Sequence, residues 1–381
     1  MKIAYFGNPQ SIHDAKWVNF FSNKYQTIMI THIMNDKKGM INSATPIYSI
    51  LPESYSSFSI KRNIDTIKRI KKVLSHHQID VIHTLYAFPN VFWASKCDIP
   101  HIISTRGSDI LIDYKKLFNP KALKQKITFK ILRKEYSKCF KDASFITSTS
   151  INQNIVIKTM VSDIKNLFIV RTGIDINKIE NYDTKIRIDK TSLRIFCPRS
   201  MAPVYNHEFV IQSLGLLKKY YPKVCFDVTF INDTPKSNYT KRIRNMIKDV
   251  GIDENTKFKT FQNQELMFKE YGENDIVISV PHSDGTPNSC LEAMAMKRPI
   301  FVSPLDYDKD IFNNDTVTMI EPFEPNQLMY LIHKFNVAES KKEFMVKVEN
   351  AYDAVKEFGN IKDSLNIIEK LYKDTIIKPS V

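Results

Sequence analysis

The sequence predicts an α/β chain of two doubly wound domains, and three observations carry that prediction. At 381 residues, 43% hydrophobic and 25% charged, the chain is long enough for two cores and has an ordinary globular composition. Short apolar runs alternate with amphipathic stretches through both halves, which is the sign of strand–helix–strand units and parallel sheets. Glycine is scarce, nine in all, yet Gly7, Gly107, Gly173 and Gly285 each follow a predicted strand or stand in the loop beyond it. That is where open α/β sheets bind ligands, although plain strand-to-helix turns would account for any one of them.

Taken in order, strands are expected in the first half at 2–7, 27–34, 81–87, 101–106, 144–148 and 167–171. Helices are expected between them at about 13–24, 62–76, 89–96, 119–141 and 150–161. The second half repeats the scheme, with strands at 193–198, 225–231, 257–261, 276–280 and 299–303. Its helices fall at 206–220, 238–250, 264–271, 288–297, 325–336 and 340–358, and the amphipathic pattern runs on to about 375. Charges replace the apolar pattern over 173–192, so the first domain is placed at 1–175 and the second at 190–359.

Composition also excludes several functions. Apolar runs such as 275–280 stop well short of the roughly 20 residues that a membrane-spanning helix needs. The opening Met1-Lys2-Ile3-Ala4-Tyr5-Phe6-Gly7 reads as strand and turn, with no secretory signal. Five cysteines (Cys97, Cys139, Cys197, Cys225 and Cys290) without a C-x-x-C pair fit reduced thiols in the cytosol rather than a zinc site or a disulfide framework. Lys and Arg total 55 against 41 acids, a net charge of +14 that favours anionic partners. A nicotinamide dehydrogenase is not the expected reading, because Gly7 is followed by Asn-Pro-Gln-Ser and no G-x-G-x-x-G occurs. Nucleic acid is not the expected partner either: the basic segments match no recognised module, and the aromatics alternate into cores instead of forming a stacking row.

Residues 276–304 carry the chemistry. A buried strand leads into Pro281-His282-Ser283-Asp284-Gly285-Thr286-Pro287, then a helix-forming run from Asn288, then a second buried strand. Asn288 or Ser289 is the expected N-cap, and backbone amides at 288–290 would make an anion site suited to a diphosphate. Asp284 and Glu292 stand eight positions apart, so one carboxylate can meet a sugar and the other a ribose, whose diol donates two hydrogen bonds to a carboxylate. The plainer reading is that Asp284 shapes the turn and Glu292 offsets the helix dipole.

Asp284-Gly285-Thr286-Pro287-Asn288-Ser289-Cys290-Leu291-Glu292 resembles the acidic-x7-acidic signature of GT-B-type retaining glycosyltransferases, family four (group 1), with Asp284 in place of the usual first glutamate. Further stretches resemble the family in the same order along nearly the whole chain. They are Phe6-Gly7-Asn8 with Ser11, His13 and Trp17; Asp80-Val81-Ile82-His83; Thr105-Arg106-Gly107-Ser108-Asp109; Val170-Arg171-Thr172-Gly173-Ile174-Asp175; and Cys197-Pro198-Arg199-Ser200. The resemblance implies two Rossmann-like domains facing across a cleft. The first would bind an acceptor, the second a nucleotide-sugar, and a terminal helix at 360–381 would pack back on the first.

It also implies a metal-independent hexosyl transfer with retention, from a nucleotide-diphosphate sugar to a glycan or polyprenyl-linked glycan, in bacterial surface polysaccharide synthesis. The expected catalytic residues are Asp284, Arg106 and Arg199. Donor contacts fall on Glu292, Gly285, Thr286, Pro287, Asn288, Ser289, Gly7 and Tyr205, and acceptor contacts on Asn8, His13, His83 and Asp109. Arg106 stands where many members have His, which would suit a phosphate or an acidic sugar, and Tyr205 or Asn206 stands near a usual lysine. The pair Asp306-Tyr307-Asp308 reads as a solvated loop or as a metal pair of the other glycosyltransferase fold. A GT-B-type epimerase, or a non-catalytic basic protein that binds membrane or nucleic acid, is the alternative. Residues 115–141 are rich in Lys and interleaved with Leu117, Phe118, Leu123, Ile127 and Phe129. They form either a helix lying on an anionic membrane surface, cytoplasmic side, or a solvated helix packed by its apolar side.

Overall fold

The structure is a computed structural model that describes residues 1–33, 40–162, 164–182, 192–231, 234–261 and 263–377. The chain divides into two compact units, Met1–Thr172 with Asp363–Val381, and Gly173–Lys362. Of the charged junction expected over 173–192, residues 183–191 lie outside the described residues, as do 378–381 of the terminal segment.

Unit 1 is built on seven strands: β1 (Lys2–Phe6), β2 (Gln26–Thr31), β3 (Ile47–Ser49), β4 (Val81–Thr84), β5 (His101–Ser104), β6 (Phe145–Ser148) and β7 (Leu167–Ile169). Their order is β3-β2-β1-β4-β5-β6-β7, and every ladder is parallel, with Ile3 opposite both Thr27 and Val81. Unit 2 holds β8 (Leu193–Cys197), β9 (Phe226–Ile231), β10 (Thr256–Lys259), β11 (Ile276–Ser279), β12 (Ile300–Val302) and β13 (Thr318–Met319). These run in the order β10-β9-β8-β11-β12-β13, again all parallel. The central strands are buried along their whole length, which is why they read as unbroken apolar runs.

Strand order reverses between β1 and β4 in unit 1 and between β8 and β11 in unit 2. Loops leaving the carboxyl ends of strands at such a point splay apart and leave room for a ligand. Those loops hold Gly7, Asn8, Arg199 and Asp284.

Several sequence boundaries shift. β3 and β13 were not expected, because two or three residues on a sheet edge carry no measurable period. β4 ends at Thr84 rather than 87: Leu85 still donates its amide to the Phe6 carbonyl of β1 at 2.9 Å, but the chain then leaves the sheet, with Ala87 buried in the loop. The helix expected at 119–141 begins only at Leu123, after Pro120 and an extended Ala122. At the start of unit 2, Gly173 has φ +68, and a Cβ there would lie 2.7 Å from the Ile361 Cα. Only glycine lets those two stretches touch. The last helix, Ile361–Ile377, anchors to unit 1 through Tyr372, which is buried with its hydroxyl 3.1 Å from that of Tyr5.

Candidate functional site

In unit 2, Arg199 emerges two residues beyond β8. Its guanidinium lies over the Tyr205 ring at 4.2 Å, donates to Asp284 Oδ2 at 2.7 Å and donates to the Ser289 hydroxyl at 2.9 Å. Tyr205 is placed by a 3-10 turn, Pro203–Tyr205, closed by Asn206 in the left-handed region. The Arg199 and Asp284 side chains are 13% and 18% exposed, so the pair is shielded yet reachable. Burial opposes the charge on Arg199, but Asp284 and Tyr205 outweigh it and raise its pKa, so it stays cationic. Asp284 Oδ1 also accepts the Gly285 amide at 2.8 Å, which fastens the loop from its other end.

The helix Asn288–Ala295 is capped by Pro287, not by Asn288 or Ser289 as expected. Pro287 is extended, and its carbonyl accepts from the amides of Cys290 and Leu291 at 3.0 and 3.2 Å. The Cys290 amide is therefore spent within the helix. Asn288 and Ser289 open the first turn of this helix. Asn288 also donates through its side chain to the Gly173 carbonyl at 3.3 Å. Thr286 and Pro287 are buried beneath this turn, and Gly285 accepts the Asp308 amide at 3.3 Å.

Glu292 lies one turn further on, 8% exposed. Its Oε1 accepts from Gln264 at 2.8 Å and its Oε2 from the Tyr271 hydroxyl at 3.3 Å, and that hydroxyl also lies 2.9 Å from the Ser289 carbonyl. Burial, then Glu292, pushes the Tyr271 phenol well above its usual range, so it remains a donor. Gln264 and Tyr271 escaped the sequence reading; their one signal was a spacing of seven, which puts both on one helix face. Asp308, read from sequence as part of a solvated loop, is fully buried. Among the described residues no three His, Cys, Asp or Glu side chains gather where they could hold a metal ion.

In unit 1, Gly7 follows β1 because nothing larger fits: a Cβ would stand 2.7 Å from Asp14 Oδ2 and 3.3 Å from the Leu85 Cβ. Asp14, also missed from sequence, accepts the Asn8 amide at 2.8 Å and so shapes the loop. Arg106 stacks on Trp17 at 4.4 Å, donates from Nε to the Leu85 carbonyl at 3.1 Å and lies 3.8 Å from Asp14. Burial raises the Asp14 pKa against the pull of Arg106, and burial lowers that of Arg106 against Asp14.

Asp109 and His83 were expected to meet an acceptor, but neither has exposed surface. Asp109 takes the amides of Ala87, Arg106 and Gly107 at 2.9, 3.0 and 3.0 Å, tying the loops after β4 and β5 together. Burial, working against those amides, lifts its pKa to about 6. His83 lies between the Tyr372 hydroxyl at 2.5 Å and the Ser104 hydroxyl at 2.7 Å, and burial followed by Arg106 holds its pKa down. Both residues frame the loops from behind. Asn8 is half-buried and His13 exposed, so these two keep surface that a ligand can reach.

Two family models meet this chain. Residues 2–150 match the family described as "Glycosyl transferase 4-like" and residues 178–351 match "Glycosyl transferases group 1". The fold and the Asp284–Glu292 segment thus belong to a GT-B glycosyltransferase, and the chain is a member of group 1. A poly(ribitol-phosphate) alpha-N-acetylglucosaminyltransferase of Staphylococcus aureus is 24% identical over 216 residues, which is 57% of this chain and 39% of that relative's length. Among solved structures, a glycosyltransferase from Rickettsia africae superposes with a TM-score of 0.73 at 16% identity, over 100% of this chain and 99% of the other. HepE of Anabaena, solved with UDP, gives 0.74 at 12% identity over 98% and 100%. These two likenesses bear on the fold.

Proposed function

We propose that the protein transfers a sugar from a nucleoside-diphosphate sugar to a hydroxyl of a surface glycan, keeping the configuration of the anomeric carbon. The observation that carries this reading is the Arg199–Asp284–Ser289 cluster at the start of the helix Asn288–Ala295, with Glu292 one turn beyond. A diphosphate placed there meets a fixed cation, first-turn amides and the positive end of a helix. Negative charge grows on the departing phosphate in the transition state, and these groups stabilise it without having to reorganise. Each Asp284 oxygen keeps a second lone pair, so the carboxylate can hold Arg199 and still accept from a sugar hydroxyl. Glu292, its carboxylate oriented by Gln264 and Tyr271, takes the nucleotide ribose. Departure and attack occur on one face of the sugar, and no metal takes part. In unit 1, Asn8 and His13 face the acceptor.

The relative's name supports an N-acetylglucosamine donor and a polyol-phosphate polymer as acceptor, and HepE has also been solved with UDP-glucose. The net charge of +14 suits such a polyanion. On this reading the reaction takes place on the cytoplasmic side. Titration with UDP, GDP, ADP and their sugars tests the donor, because a ligand that binds only the folded chain raises the thermal midpoint. Glu292→Ala is expected to cost about 2–4 kcal/mol in kcat/KM for the donor. Proton NMR of the product reads the anomer. Isomerised nucleotide-sugar without transfer, or an unchanged Glu292→Ala enzyme, would overturn the proposal.

A further inference from the structure

We infer that unit 1 docks on an anionic phospholipid surface through the outward face of the helix Leu123–Lys141 and the turn before it. The helix has two faces with different fates. Leu132, Tyr136, Cys139 and Phe140 turn inward and are buried. At 100° per residue, Leu123 and Ile127 point to the opposite side, so no small adjustment could fold them into the core. They are 77% and 57% exposed, and Phe118 just before the helix is 53% exposed.

The same outward stripe continues with Lys130, Lys134, Lys138 and Lys141, and every lysine from Lys115 to Lys141 is exposed. The surface is therefore apolar at one end and cationic along the rest. That order suits an interface in which the first turns enter the acyl boundary while lysines meet lipid phosphates. Phe118 is held for this role: Arg133 covers its ring at 4.5 Å while donating to the Leu117 carbonyl at 3.0 Å. The lone acid of the helix, Glu135, is half-buried beside Tyr55, whose phenol pKa is raised by burial and then by Glu135.

Tyr55 also links this surface to a second one. It stacks on Phe92 at 4.2 Å, and its loop leads to Phe58, Ile60 and Ile64, all exposed beside Lys61 and Arg62. Charge complementarity selects an anionic partner, and the exposed Leu, Ile and Phe side chains select a bilayer over a soluble polyanion, which offers nowhere to bury them.

The inference goes beyond the proposed reaction and is tested without it. The full chain is floated with vesicles of phosphatidylcholine alone and of phosphatidylcholine mixed with phosphatidylglycerol, at low and raised salt. Wild type is expected to float with the anionic vesicles only, and less at raised salt. Leu123→Ser/Ile127→Ser and Lys130→Glu/Lys134→Glu are each expected to lower binding at least about tenfold. These positions are exposed, so thermal midpoints should stay within a degree or two of wild type, roughly what surface changes produce. Absence of wild-type flotation overturns the inference. So does a serine pair that floats as well as wild type while the charge pair is lost, the pattern of a soluble-polyanion site. Donor titrations read separately, so a failed vesicle assay leaves the reaction untouched.

Discussion

Breaking the Arg199–Asp284 pair separates what it does for the fold from what it does for a ligand. Arg199→Met leaves the apolar cover over Tyr205 in place but strands a shielded carboxylate, and Asp284→Asn strands a shielded guanidinium. Removing one partner of a fully buried pair costs 3–5 kcal/mol; with 13% and 18% exposure, water relieves part of that, so about 2–3 kcal/mol is expected for each single change. In a unit of this size that is a fall of about 4–12 °C in midpoint. The double variant removes both charges together and should cost at least about 1.5 kcal/mol less than the two singles summed. Calorimetry on the transition that carries unit 2 measures these terms. UDP titration measures the others. Loss of the cation should weaken UDP by about 10–150-fold in both Arg199→Met and the double variant. Asp284→Asn should bind UDP at least as well as wild type, because its Arg199 is released toward the diphosphate, yet turn over slowly. Additive stability losses within about 0.5 kcal/mol would refute the coupling. Unchanged UDP affinity in Arg199→Met would refute the donor role.

Three other predictions concern unit 1. Asp109→Ala leaves the buried amides of Ala87, Arg106 and Gly107 without their acceptor and should cost about 3–5 kcal/mol, read by thermal unfolding. A Cβ at Gly7 would press on Asp14, Met29 and Leu85, so Gly7→Ala should cost about 1–3 kcal/mol and weaken acceptor use, read as a raised acceptor KM. Glu369 is held down from 4.5 to about 2, first by Lys24 and Tyr25, so its folded form binds a proton less readily than the unfolded chain. Its stabilisation is complete above pH 4.5 and is lost as pH falls toward 2. Glu369→Gln should therefore flatten that acid limb of the midpoint-against-pH curve and lower the plateau above it.

The strands were legible because parallel sheets covered on both sides leave unbroken apolar runs, and Ile276–Ser279 or Val81–Thr84 could be little else. The Asp284–Glu292 segment was legible because strand, polar loop and helix follow one another locally. What the sequence hid was set by partners far along the chain. Nothing near Asp109 says that the amide it holds belongs to Ala87, and nothing near His83 points to Tyr372. Both stand in stretches that resemble the family, and it was that resemblance that placed them among the acceptor contacts. Pro287 escaped as a cap because capping preferences rank side-chain acceptors, whereas here the carbonyl closes the turn. The residues 115–141 looked like one amphipathic helix; the structure turns Leu132 and Tyr136 inward and Leu123 and Ile127 outward.

Because unit 1 is made of Met1–Thr172 together with Asp363–Val381, synthesis on the ribosome delivers its parts out of step. A nascent chain that has emerged through Thr172 still has an open socket around Tyr5 and His83, since Tyr372 is yet to be translated. Unit 2 can finish folding first, and the earlier half must wait, exposed to holding chaperones, until the last helix arrives to seal it. A stop codon shortly before Asp363 would thus spare the later-made unit and leave the earlier-made one unfinished.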